Sequence, residues 1–179
     1  MFWPRWISSS YRPRHSARSS FCSFWLASPA ASVHFAVTDS PSAAWTAQQV
    51  AEAFPWEEAP RCLSRDRDAT YSMVFRERVK RMGIAELITA ARSPLQNPYV
   101  ECVSRTIRRE LLTHATLLDK RHLQPRLRVY VDYYQPARTH LSLDKDTPEL
   151  RAVEPVSTGP IRAVAEVGGL HHRYFRRAA

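Results

Sequence analysis

Asn97-Pro98-Tyr99-Val100-Glu101-Cys102-Val103-Ser104-Arg105-Thr106-Ile107-Arg108-Arg109-Glu110-Leu111 reads as the opening and body of one amphipathic helix. Asn is a favoured N-cap, and Pro suits the first helical position because the N–H it lacks would have no intrahelical partner there. A helix is therefore expected from Pro98 to about Thr113. Val100, Val103, Ile107 and Leu111 recur at helical spacing as one apolar stripe, with Glu101, Arg105 and Arg108 together about a quarter turn away. The carboxylate thus points off the core side, beside two guanidinium groups.

Outward from this helix, short extended stretches alternate with helices. Val33 to Val37 is rich in β-branched and aromatic residues and reads as a strand. Ala47, Val50, Ala51 and Phe54 mark a helix that Ser40 or Ser42 can cap and Pro55 ends. Arg61 to Arg65 is extended and runs into the charged turn Asp66-Arg67-Asp68. Phe75, Val79 and Met82 share a helix face closed by Gly83, and Ile84 to Thr89 is strand-like again. The loop Ala90 to Gln96 then leads into the helix already described. Leu123, Leu127, Val129 and Tyr130 predict a last helix up to Tyr134, with Pro125 in its first turn. This order implies an α/β domain with helices packed on a mixed sheet.

The two ends read differently. Residues 1–32 are rich in Ser, Arg and aromatic residues, show no period, and contain no carboxylate; the first acid of the chain is Asp39. An irregular segment is expected there, leaving the sheet without its first strand or strands. Arg5, Arg12, Arg14 and Arg18 ahead of the apolar run Phe21 to Ala27 have the outline of a secretory signal, but Ser23 interrupts the run. Beyond Thr147, prolines 148, 155 and 160 and the basic end Arg173, Arg176, Arg177 read as an irregular tail. The resulting division is 1–32 irregular, 33–147 folded core, 148–179 basic tail.

Lys and Arg total 26 against 17 Asp and Glu, a net charge of +9 that favours a polyanionic partner. Charge alone does not choose between nucleic acid and an anionic membrane; no stretch approaches the roughly 20 apolar residues of a membrane span, and the chain reads as soluble. Cys22, Cys62 and Cys102 are single and far apart, which fits a cytoplasmic protein and neither a disulfide framework nor a zinc site.

Asp66 stands where a strand gives way to a loop, and Glu101 in the first turn of a later helix, 35 positions on. Element ends are where a rigid scaffold displays side chains. Two-metal phosphoryl transfer needs carboxylates converging on two divalent cations about 3.5–4 Å apart, and hard oxygen ligands suit Mg2+ or Mn2+. As spacing alone the pair is weak evidence in a chain with 17 acids. Its surroundings make it specific. Arg65-Asp66-Arg67-Asp68-Ala69-Thr70-Tyr71, then Arg92-Ser93-Pro94-Leu95-Gln96-Asn97-Pro98-Tyr99-Val100-Glu101, Ile107-Arg108-Arg109-Glu110, Asp132-Tyr133-Tyr134 and Arg138-Thr139-His140-Leu141-Ser142-Leu143 occur in that order. Together they resemble the integrase core of insertion-sequence transposases, the retroviral-integrase type of Asp-Asp-Glu catalytic domain.

The resemblance runs from about Val33 to the C-terminus and implies a ribonuclease-H-like fold. It also implies DNA integration and recombination by metal-dependent strand transfer, with Mg2+ or Mn2+ as cofactor. Asp66 matches the second Asp of the family's triad and Glu101 its Glu, as catalytic and metal-binding residues. Arg105, Arg108 and Arg109 match phosphate contacts, which would position DNA without reading its sequence. A homo-oligomer or an intact transposase is the implied protein partner.

The departures are as informative. The family's first Asp belongs on the opening strand, and counting back places it near Ile7 and Ser8, where there is no carboxylate. Arg12-Pro13-Arg14-His15-Ser16-Ala17 is what a GC-rich gene would encode if a Pro-Thr-Ala-Thr-Phe-Arg stretch of such transposases were read one frame out. Cys102 replaces the Arg that usually follows the Glu. The sequence reading is therefore a transposase core fragment inactive as it stands. The alternative is a non-catalytic basic DNA-binding protein that interferes with an intact transposase. Asp68 reads as a surface residue, and the adjacent His171-His172, whose side chains diverge, not as a metal pair.

Overall fold

The computed structural model describes residues 5–11, 20–27, 34–54, 59–90, 98–114 and 120–178, with the backbone alone for 5–11, 20–27, 98–101, 120 and 142. Its centre is a five-stranded sheet in the order β3-β2-β1-β4-β5. The strands are β1 Arg5–Tyr11, β2 Ser20–Ala27, β3 Phe35–Thr38, β4 Cys62–Arg65 and β5 Ala85–Ile88. β1, β2 and β3 pair antiparallel in succession, while β4 runs parallel to β1 and β5 parallel to β4.

The expected irregular segment at 1–32, with missing opening strands, is corrected by this sheet: β1 is its central strand and β2 lies beside it. Arg-Trp-Ile-Ser-Ser-Ser-Tyr carries no clean polar and apolar alternation. Its extended state is set by ladders on both sides, to β2 and to β4. Strand preference depends on neighbours far more than helix preference does, so such a segment is silent when read alone.

Helix α1, Ala43–Ala53, starts where expected: the Ser42 hydroxyl accepts from the Trp45 N–H at 3.2 Å. Helix α2, Met73–Arg81, ends before Gly83, whose φ of 71° is in the left-handed region that favours glycine. These helices pack on β4 through one core of Val50, Phe54, Leu63, Tyr71, Phe75, Val79 and Ile84. Leu63 faces α1 and α2, so by strand alternation its neighbour Ser64 faces the other way.

A second core joins α3, Pro98–Glu110, to α4, Lys120–Ala137. Val103, Ile107 and Leu111 meet Leu123, Leu127, Tyr130 and Tyr134, with Phe35 and Val37 of β3 against them. Three members of the expected α3 stripe are thus core; the Val100 side chain, the Asn97 cap and the loop 91–97 lie outside the described residues. α4 is longer than its apolar spacing implied. It contains Pro125 in its second turn and Pro136 near its end, because burial of Leu127, Tyr130 and Tyr134 outweighs the backbone bonds the prolines forgo.

The C-terminal part also corrects its sequence reading. Ile161–Glu166 (β6) and His171–Arg176 (β7) form an antiparallel hairpin. Its turn uses Gly168 and Gly169 at φ of 67° and 89°, conformations open to glycine without penalty. Proline and charge dominated the reading of that tail and hid the glycine turn. No helix among the described residues is long and apolar enough to cross a membrane.

Candidate active site and the clamp beside it

Asp66 directly follows β4 and is exposed. One of its carboxylate oxygens accepts the Asp68 N–H at 3.0 Å, and Asp68 in turn accepts the Thr70 N–H at 2.8 Å, capping the short 3-10 turn Ala69–Tyr71. Asp68 is therefore a local cap, in keeping with its reading as a surface residue. Beneath this loop Arg65 is buried, unusual for a charge. Its Nε donates to Glu86 at 2.5 Å, Nη1 donates to the Asp66 carbonyl at 3.0 Å, and the guanidinium lies 5.5 Å from the Tyr71 ring centroid. Thr89 ties the end of β5 to the Arg65 carbonyl. The backbone that presents Asp66 is thus held from three sides.

β1 is the sheet neighbour of β4, the strand that leads into this loop. Its parallel register pairs Trp6 with Leu63 and Ile7 with Ser64. Continued by two residues, that register brings Ser8 level with Arg65 and Ser9 level with Asp66. Helix α3, which carries Glu101 in its first turn, packs against β1. Both sequence-predicted carboxylates accordingly belong to elements that contact the opening strand; the Glu101 side chain lies outside the described residues. Arg105, Arg108 and Arg109 are exposed on α3.

A two-ion centre would need three converging carboxylates. Asp66 can offer one, but the strand level with it, residues 5–11, holds three serines and no acid. Among the described residues no group of three potential metal ligands comes together. The described residues do not by themselves make up a two-metal centre.

A polar cluster missed at the sequence level lies at the other end of α3, about 13 Å from Glu101 along the helix at 1.5 Å per residue. Glu110 accepts from Arg138 twice, from Nη2 at 2.6 Å and Nε at 2.9 Å, and from the Tyr130 hydroxyl at 2.8 Å. Arg138 also lies 3.0 Å from His140 Nδ1 and over the Tyr134 ring. His171 stacks on Tyr133 with centroids 4.9 Å apart and donates from Nε2 to the Glu110 carbonyl at 3.1 Å. His172 is exposed, so the two histidines diverge as expected.

Burial would raise the Glu110 pKa, but the hydrogen bonds from Arg138 and Tyr130 and the nearby positive charge outweigh it and hold the group at about 2. Burial pushes the Tyr130 and Tyr134 hydroxyls up, and burial followed by the Arg138 charge pushes His140 down. A signal for this cluster did exist in the sequence. A carboxylate at a helix C-terminus opposes the helix dipole and so calls for a cation nearby.

Residues 82–148 match the family model described as integrase core domain. No curated protein shows significant sequence similarity to the chain. Solved structures similar to it include the catalytic core domain of BIV integrase, at 14% identity and a TM-score of 0.58, covering 80% of this chain and 90% of that one. Another is a chain of the simian T-cell lymphotropic virus intasome in complex with PP2A regulatory subunit B56 gamma. There the identity is 13% and the TM-score 0.61, over 96% of this chain and 66% of that one. At these identities the likeness is one of fold. The family match includes Glu101, the three α3 arginines, Glu110 and Arg138; Asp66 and β1 precede it. Residues 82–148 thus resemble an integrase core domain, and the fold of the chain is similar to that of integrase catalytic cores.

Proposed function

We propose that this chain is a transposase-type DNA strand-transfer core that keeps two of its three metal ligands, Asp66 and Glu101, and has lost the third. It binds DNA through Arg105, Arg108 and Arg109 and does not by itself cleave or join strands. The observation that supports this reading is the register of β1 against β4, which pairs Ile7 with Ser64: continued by two residues it sets Ser9 level with Asp66, on a strand that holds three serines and no acid. Two divalent ions held close repel strongly, and a bridging carboxylate is what offsets that repulsion. With two carboxylates the chain would retain at most one hydrated Mg2+, which cannot clamp both the attacking and the leaving oxygen.

DNA binding is the testable half that needs no metal. Affinity for an arbitrary duplex should fall steeply between about 50 and 200 mM salt, as phosphate contacts predict. Arg105→Ala/Arg108→Ala/Arg109→Ala should reduce the log–log salt slope by about 2 to 3, at about 0.9 per phosphate contact. A duplex affinity independent of salt would remove the reading.

A further inference from the structure

The β6–β7 hairpin is a ribbon docked at one end. Val167 in its turn is buried in the α3/α4 core, and His171 is fixed by the Tyr133 ring and the Glu110 carbonyl. Beyond that anchor the ribbon is exposed along most of its length, with Ile161 61% and Tyr174 58% accessible. A two-stranded ribbon gains little stability from itself in water, so the anchor on the α3/α4 core holds it, and its exposed remainder is open to a partner.

The chemistry of the ribbon indicates which. Residues 155–179 hold four arginines and a single carboxylate, Glu166, which Arg173 Nε approaches to 3.3 Å. Arg162, Arg173 and Arg177 are exposed. The cross-strand register pairs Val164 with Arg173, and Arg162 is two positions from Val164, so Arg162 and Arg173 stand on one face of the ribbon and His172 and Tyr174 on the other. The anchor also supplies continuity. His171 bonds to the carbonyl of Glu110, the residue that follows Arg108 and Arg109 on α3, so the ribbon begins where the cationic helix face ends.

We infer that the β6–β7 ribbon is a second contact for duplex DNA, with Arg162, Arg173 and Arg177 on phosphates. This deepens the DNA-binding reading of the α3 arginines and rests on it. The ribbon lengthens the footprint along the duplex and reads no sequence, because phosphates carry none.

The test uses the full chain, an arbitrary duplex of about 30 base pairs and a salt titration. Arg162→Ala/Arg173→Ala/Arg177→Ala should lower the log–log salt slope by about 2 to 3 and weaken binding at least about tenfold near 0.1 M salt. Arg78→Ala/Lys80→Ala/Arg81→Ala removes the same charge from the exposed end of α2 and should change the slope by less than about 1. Equal losses from the two triple variants would mean that only net charge matters, and would overturn the inference. Should the ribbon triple not fold, arginine modification of the unaltered chain by phenylglyoxal decides. Duplex should protect Arg162, Arg173 and Arg177 and leave Arg78 and Arg81 reactive. Protection by anionic phospholipid vesicles but not by duplex would overturn it as well. If the α3 triple lowers the slope while the ribbon triple does not, the ribbon falls and the α3 interface stands.

Discussion

Glu110, the last residue of α3, and Arg138, the first residue beyond α4, are joined by two parallel charge-assisted hydrogen bonds of 2.6 and 2.9 Å. This fork-to-fork geometry is the strongest form of carboxylate recognition available to a protein. It fixes the C-terminal end of α3 against α4. Tyr130 donates to the same carboxylate and His171 to the Glu110 backbone carbonyl, so one residue links two helices and the C-terminal hairpin.

Removing one partner of this pair should therefore cost more than a surface ion pair. Both side chains are largely buried, 16% and 18% exposed, so Arg138→Ala leaves an inward carboxylate without its main partner. A loss of about 2–4 kcal/mol in urea unfolding, at unchanged m-value, is expected. A loss under about 0.5 kcal/mol would place the pair with ordinary surface bridges.

The same carboxylate sets an acid limit. Its folded pKa of about 2 lies below the ordinary value of 4.5, so its contribution is fully present above about pH 4.5 and is lost as pH falls towards 2. His140, also lowered, adds a loss of the same sign that begins as pH falls below its ordinary 6.5. Stability measured across this range should fall on acidification, and Glu110→Gln should flatten the part between pH 4.5 and 2. An unchanged profile in that variant would contradict the assignment.

Pro125 offers a test in the opposite direction. It lies inside α4, exposed and lacking the N–H that would bond to the Arg121 carbonyl. Pro125→Ala should stabilise the chain by about 1 kcal/mol. That is less than the roughly 3 kcal/mol of a mid-helix proline, because the site is near the helix start and the unfolded chain regains freedom. Destabilisation would show that the ring packs usefully.

How much of this was legible beforehand follows the physics of each element. α1 and α2 were readable because Ser42, Gly83 and the apolar spacing act locally, within one or two turns. β1 and β2 were not, since their extended state comes from pairing partners up to 57 positions away, as in Arg5 with Cys62. The position of Asp66 just past a strand was legible with its neighbours, and the buried Arg65 beneath it was not. Glu110, Arg138 and His140 were visible as residues of the resemblance, but their joint role depends on a contact 28 positions apart. The hairpin was hidden by prolines on its near side.

The most direct measurement of the central claim is strand cleavage and joining by the purified chain in Mg2+ or Mn2+, alongside Ser8→Asp and Ser9→Asp. These two substitutions put a carboxylate on β1 level with Arg65 and with Asp66 respectively. The account predicts no metal-dependent turnover by the unaltered chain, turnover in at least one of the two variants, and its loss again on adding Glu101→Gln. Robust metal-dependent strand transfer by the unaltered chain would contradict it, and would mean that another carboxylate, with Asp39 or Asp68 the first to replace, holds the missing place.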